Sequence, residues 1–277
     1  MMTGIIYACV APHGYDIIDE IAGPMRDKFL VTRQAMERLG QHMKRQSPDI
    51  YVVLTPHGTR IEGYTSIATN EFATGSLTQH GETVSLSAKC DREFAFALLK
   101  RAKEQDLHVI RYVYGSESGS FSVLPLDWGA FIPLWYLLDQ KENSPRIVVI
   151  SPTRDQPIEE LVELGRQIAL LAEDSGKRVA LIASADQGHA HDENGPYGYH
   201  PASAKYDELV QQAINENQLA SLLALPMSLV DEAKPDSLWQ LAVLHGVMQK
   251  VPLKGEVLSY EVPTYFGMLC ASFQKVE

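Results

Sequence analysis

Short apolar runs punctuate the chain at 5–10, 50–54, 109–113, 147–150, 179–183 and 268–273. Each is rich in Val, Ile or other apolar residues and is bounded by polar or turn-forming residues, the pattern of a buried strand. Residues 81–88, GETVSLSA, alternate more cleanly and predict a strand with one wet face. Between these runs, 33–45, 91–105 and 158–174 space their apolar positions by three and four, as amphipathic helices do. The last begins behind Pro157, a natural residue for a helix start. AKYDELVQQAI and DSLWQLAVLHGVMQ add helical patterns in the C-terminal third. Strands alternating with helices predict an α/β protein with a largely buried sheet. No solenoid repeat, low-complexity tract or convincing linker interrupts the pattern, so a single domain is expected over 1–277. The polar segment 139–146, DQKENSPR, reads as a surface loop.

Composition narrows the function. Hydrophobic residues make up 45% of the 277, enough for a full core. The formal net charge is −11 and no basic stripe occurs, which argues against nucleic acid and anionic membranes as partners. The three cysteines, Cys9, Cys90 and Cys270, are odd in number and lack C-x-x-C spacing. They read as free thiols, buried at Cys9 and Cys270, in a reducing compartment. The first residues lack the basic start of a signal peptide. The longest strongly apolar stretch, GAFIPLWYLL, falls short of the roughly 20 residues a bilayer requires. A soluble, cytoplasmic protein is expected.

Two of the predicted strands end in the same tripeptide, Pro12-His13-Gly14 and Pro56-His57-Gly58. In open α/β sheets ligands bind beyond the carboxyl ends of strands. Proline stiffens each exit, and glycine allows the backbone to turn away through unusual φ. Two such mounts on neighbouring strands would bring two imidazoles together, as a divalent metal requires. A third ligand is sought in EVLSYEVPTYFGMLCASF, where Glu261 lies between apolar runs and needs a partner, either a metal or a cation. Two His and one Glu suit non-haem Fe(II) and catalytic zinc alike. The Gly/Pro/Asn-rich stretch 182–201 carries His189, His191 and His200, and one of these is a candidate acid/base near the metal. His42, His80, His108 and His245 read as ordinary surface or core histidines.

Taken in order, APHG, TPHG, LDWGAFIPLWYL, ASADQGHAHDENGPYGY and SYEVPTYFGMLCASF resemble the class III extradiol ring-cleavage dioxygenases, the catalytic LigB-like family of the protocatechuate 4,5-dioxygenase β-subunit type. The resemblance spans most of the chain. It implies a mixed central sheet flanked by helices on both faces. It implies that His13, His57 and Glu261 hold Fe(II), with Zn as the alternative, and that His189 takes the place of the active-site histidine. The activity implied is opening of a catecholic or aminophenolic ring with O2, in aromatic compound catabolism. A homo-oligomer such as a dimer, or pairing with a small second subunit, is implied as well. Two departures stand out. Trp128 occupies the position of a second acid/base histidine, and Gly188 replaces the usual Ser before His189. Indole only donates, so Trp128 is expected to stack on a substrate ring, with Tyr197 beside it and His191 as a substitute proton relay. Zinc hydrolases or lyases and non-enzymatic Memo-like metal-site proteins are the competing classes.

Overall fold

The computed structural model describes residues 3–138 and 144–276. The strands are β1 (Gly4–Ala11), β2 (Ile50–Leu54), β3 (Thr65–Ala68), β4 (Phe72–Gln79), β5 (Glu82–Lys89), β6 (Val109–Tyr112), β7 (Val123–Pro125), β8 (Arg146–Ser151), β9 (Arg178–Ser184), β10 (Leu253–Glu261) and β11 (Met268–Lys275). The α-helices are α1 (Leu30–Gln46), α2 (Arg92–Glu104), α3 (Trp128–Leu137), α4 (Ile158–Asp174), α5 (Pro201–Asn215), α6 (Met227–Ala233) and α7 (Leu238–Met248).

Eight strands form one mixed sheet in the order β10-β11-β1-β9-β2-β8-β3-β6, while β5-β4-β7 form a smaller sheet. The central four, β1, β9, β2 and β8, run parallel, and β11 and β3 pair antiparallel on either side of them. Alternation along β1 sends Ala8 and Val10 to one face and Cys9 and Ala11 to the other. Helices α2, α4, α5 and α7 cover the first face, and α1, α3 and the small sheet cover the second. The expected mixed sheet with helices on both faces is therefore present. Each fully buried Leu or Ile side chain contributes about 1.5–3 kcal/mol, so this two-sided core is the main source of stability.

The strand at 50–54 and the helix at 158–174 match their sequence patterns residue for residue. Helix α3 carries no amphipathic pattern because it is buried on nearly every side: Phe131, Ile132, Leu134 and Leu137 have no exposed surface. It also contains Pro133, a residue that normally argues against a helix interior. All three cysteines are free and buried, and burial pushes the thiols of Cys90 and Cys270 up to about 12. Of the polar segment expected as a loop, residues 139–143 lie outside the described residues. Among the described residues no helix is long and apolar enough to cross a membrane.

Candidate metal centre and cleft

The carboxyl ends of β1, β9, β2 and β8 lie along one edge of the sheet, and both Pro-His-Gly turns emerge there. They are not on neighbouring strands as the sequence implied: β9 lies between β1 and β2. Its end and the segment after it carry Ser184 and Asp186, which contact His13, and His189. The imidazoles still meet, with 3.0 Å between His13 Nε2 and His57 Nε2. The glycines serve close packing instead of unusual φ. Gly14 has an ordinary extended backbone, φ −67°, and a Cβ there would strike Met268. A Cβ on Gly58 would strike the Ser151 hydroxyl.

The third donor is Asp236, just ahead of α7. Its Oδ2 lies 3.2 Å from His13 Nε2 and 3.4 Å from His57 Nε2. Three donors at about 2.1 Å from one cation stand roughly 3.0–3.4 Å apart, so this trio fits a divalent metal. Asp186 Oδ2 also lies 3.2 Å from His13 Nε2, and Asp186, His189 and Asp236 form a second, overlapping group. The expectation that Glu261 completes the set is corrected by its surroundings. Its Oε1 accepts from Thr32 N at 2.9 Å and from Thr32 Oγ1 at 2.5 Å, in the first turn of α1. The half-buried carboxylate has a partner, as the sequence required, but that partner is a helix terminus.

A chain of hydrogen bonds sets the proton of His13. Pro133 has no N–H, so it cannot bond the carbonyl of Gly129 one turn earlier in α3. That carbonyl accepts the Ser184 hydroxyl instead, at 2.5 Å. With its proton directed at Gly129, Ser184 Oγ accepts from His13 Nδ1–H at 2.9 Å. The Nε2 lone pair is left facing Asp236 and His57, the orientation a metal ligand requires. On the other side, Asp127 caps α3 by accepting from Ala130 N at 3.0 Å and from Thr55 Oγ1 at 2.6 Å, which ties the helix start to the end of β2.

Charge is concentrated here. Burial opposes a charged His13 ring, but the carboxylates of Asp186 and Asp236 outweigh it and hold its pKa up at about 9. Burial pushes Asp186 up to about 7. Burial acts on Asp236 in the same sense, yet His13, His57 and His189 hold it below the usual carboxylate range. Without a cation, a proton on His13 Nε2 occupies the position a metal would take.

A cleft of about 500 Å³ opens over this cluster, walled by Tyr15, Trp128, His189, Tyr197, Tyr265 and Phe266. The Trp128 ring stacks on His57, with centroids 4.2 Å apart and planes 25° apart. His189 stacks on Phe266 at 5.3 Å and meets the edge of Tyr197 at 5.8 Å. Its backbone N–H is held by Ala233 O at 2.8 Å, while its buried Nδ1 has no hydrogen-bond partner among the described residues. Burial lowers its pKa, which leaves a neutral imidazole in the cleft wall.

His191 lies outside this lining, which corrects its expected role as a relay. Its Nε2 pairs with the buried Asp207 Oδ2 at 2.8 Å, and Asp207 also accepts from Tyr260 OH and Gly188 N. The pair anchors the His-rich loop to α5. The missing Ser at Gly188 has a steric reason, since a Cβ there would press on Ser203. His200 caps α5 by accepting from Ala202 N at 3.2 Å. Asp236 was not found from the sequence, where it only opens the helical pattern DSLWQLAVLHGVMQ.

Residues 7–269 match the family described as the catalytic LigB subunit of aromatic ring-opening dioxygenase, and the chain belongs to that family. Its members are dioxygenase-type enzymes that usually bind a metal, together with some non-dioxygenase relatives. Protein CA_C1420 of Clostridium acetobutylicum is 25% identical over 251 residues, covering 90% of this chain and 53% of that protein. The chain thus spans about half the length of this curated relative. The crystal structure of the uncharacterized protein JW3007 from Escherichia coli K12 shares the fold. Its TM-score is 0.58 at 15% identity, covering 96% of this chain and 99% of that one.

Proposed function

We propose that the protein is a non-haem Fe(II)-dependent, extradiol-type dioxygenase that opens a catecholic or aminophenolic ring with O2. The observation that carries this reading is the convergence of His13, His57 and Asp236 donors within 3.0–3.4 Å at the floor of an aromatic cleft. A bound ferrous ion supplies a Lewis-acid and redox centre at which a ring diol and dioxygen meet. The chain's own residues do the rest. Trp128, Tyr197 and Phe266 hold an aromatic ring by stacking and exclude water. His189, neutral in the cleft wall, takes a proton from a ring hydroxyl and later returns it. The Ser184–Gly129 pair keeps His13 in the tautomer that presents Nε2.

One feature favours a second reading. Trp128 stands where the family resemblance expects a further acid/base histidine, and two His with one carboxylate also suit catalytic zinc and an activated water. The test is to purify the protein without oxygen, determine its metal, and assay catechols and aminophenols with Fe(II) or Zn(II). Oxygen uptake with a yellow ring-fission product in the Fe(II) form supports the dioxygenase. Hydrolytic turnover with zinc and no oxygen consumption supports the second reading.

A further inference from the structure

Helix α5 lies behind the site, and none of its residues lines the cleft. It nevertheless buries three polar side chains, Ser203, Tyr206 and Asp207, which are 0%, 0% and 1% exposed. Their spacing of three and four places them on one face of the helix. Burying polar groups in this way is costly unless each finds a partner. Their partners lie in the two segments that carry His189 and Asp236. Both segments are irregular: His189 stands in the long loop after β9, and Asp236 in the short link between α6 and α7. Asp207 Oδ1 accepts from Gly188 N at 2.7 Å and Ser203 Oγ accepts from Ala190 N at 2.9 Å, one on each side of His189. Ser203 then donates to the carbonyl of Ala233 at 3.0 Å. The same carbonyl accepts the His189 N–H at 2.8 Å. Ala233 is the last residue of α6, whose final carbonyls have no partner inside the helix. With Gln187 N and His191 N bonded to Gly267 O and Tyr265 O, every N–H group from 187 to 191 is held. Beyond Ala233, the Tyr206 hydroxyl bonds Ser237 Oγ at 2.8 Å, directly after Asp236.

On the reading proposed above, we infer that Ser203 and Tyr206 are positioning residues: one face of α5 fixes the proton-transferring His189 relative to the third metal donor, Asp236. Ser203 sets the base. Without its hydroxyl, Ala190 N loses its acceptor and the Ala233 carbonyl loses one of its two donors, so the loop is released at the residue beside His189. Tyr206 sets the donor. Asp236 has no helix around it. Its own bonds, from Asp186 N to its Oδ1 at 2.8 Å and from its N to Asp186 O at 3.3 Å, tie it only to the start of the same loop. Loop and link would therefore drift together. Helix α5, anchored in the core through Val210 and Ile214, is the fixed reference for both. A group misplaced by about 1 Å loses about 100-fold in rate, and a contact that orients a metal ligand is worth about 10- to 100-fold in affinity.

The test compares Ser203→Ala and Tyr206→Phe with Val210→Ala, which weakens the packing of α5 and removes no polar contact. Position is read without turnover. In Co(II)-loaded protein under nitrogen, the paramagnetic shifts of the His189 ring protons report their distance and direction from the metal, and His189→Ala identifies the signals. Ser203→Ala is expected to move or split them. Tyr206→Phe is expected to lower Co(II) affinity by about 10-fold or more in competition with a chelator. With Fe(II), Ser203→Ala should lower kcat by about 10- to 100-fold while KM changes by less than about threefold. Val210→Ala should melt earlier yet keep the shifts, the affinity and kcat. His189 shifts and Co(II) affinity that stay at wild-type values in both polar variants, or that change as much in Val210→Ala, overturn the proposal. A wild type that consumes no oxygen with any catechol or aminophenol, while Ser203→Ala still displaces the His189 signals, removes the ring-opening reading and leaves the positioning by α5 standing.

Discussion

Thr32 donates twice to one carboxylate oxygen of Glu261, across 229 positions of sequence. Helix α1 has no side-chain cap at its own N-terminus, and Glu261 supplies one from the end of β10. A carboxylate there satisfies free N–H groups and complements the helix dipole. Glu261→Gln is expected to destabilise the fold by about 0.5–2 kcal/mol and to leave metal content unchanged. Asp236→Asn is expected to abolish stoichiometric metal. Elemental analysis beside thermal melts separates the two, and the reverse pattern would return Glu261 to the ligand set.

The acid–base balance of the centre predicts opposite pH trends for stability and for metal binding. In the metal-free protein His13 titrates at about 9 and Asp186 at about 7, both above their unfolded values of about 6.5 and 3.9. Groups raised in this way stabilise the fold fully below the unfolded pKa and lose that contribution as pH rises through the folded one. The Asp186 contribution therefore falls away from about pH 4 to 7, and that of His13 from about pH 6.5 to 9. Asp236, held low, acts in the other sense only in acid, losing its contribution as pH falls below about 3.9. The melting temperature of chelator-treated protein should decline between pH 5 and 9. Metal affinity should climb over the same range, because the cation displaces the His13 proton. A flat melting profile in chelator would show that these groups are not coupled to folding.

His189 and His191 are two residues apart but belong to different parts of the molecule. His189→Ala is expected to keep the metal and lower turnover by about 10²–10⁴-fold. His191→Ala removes one partner of the buried Asp207, so its main effect should be a loss of roughly 1–3 kcal/mol in stability. Single-turnover rates and denaturant melts on both variants give the comparison. Equal rate losses with equal stabilities would show that His191 acts in the cleft after all.

The stack of Trp128 on His57 predicts how this cleft departs from its relatives. Trp128→Phe should preserve most ring binding, since the aromatic face survives. Trp128→His adds an imidazole beside the metal ligand and should weaken binding of the ring while raising cleavage of simple catechols. The stacking lost is worth about 0.5–1.5 kcal/mol. KM and kcat for both variants over a catechol and aminophenol panel decide the matter, and values equal to wild type throughout would remove Trp128 from the site.

What the sequence revealed follows from how local each signal is. The strand at 50–54 and the helix at 158–174 advertise themselves, one by an unbroken apolar run and the other by a regular stripe. His13 and His57 were legible because each is mounted by its own flanking residues. Helix α3 was not, since burial on all sides erases periodicity and Pro133 argues against a helix. Asp236 was missed because nothing within a few residues of it signals a ligand; its role comes from two histidines more than 170 positions away. Glu261 was correctly read as needing a partner, but a sequence does not tell a metal from a helix end. The order of strands was equally hidden, and with it the insertion of β9 between the two histidine turns.

Pro133 has a consequence beyond the shape of its helix. An ordinary residue there would add a donor facing the Gly129 carbonyl, and Ser184 would then compete with it for that acceptor. Its hydroxyl would gain freedom to rotate and donate towards His13 Nδ1, which moves the imidazole proton to Nε2 and blocks the lone pair aimed at Asp236. A ring that withdraws a bond from a helix interior thus acts as a rotational lock on a serine two elements away, and through it sets which nitrogen of a histidine is basic.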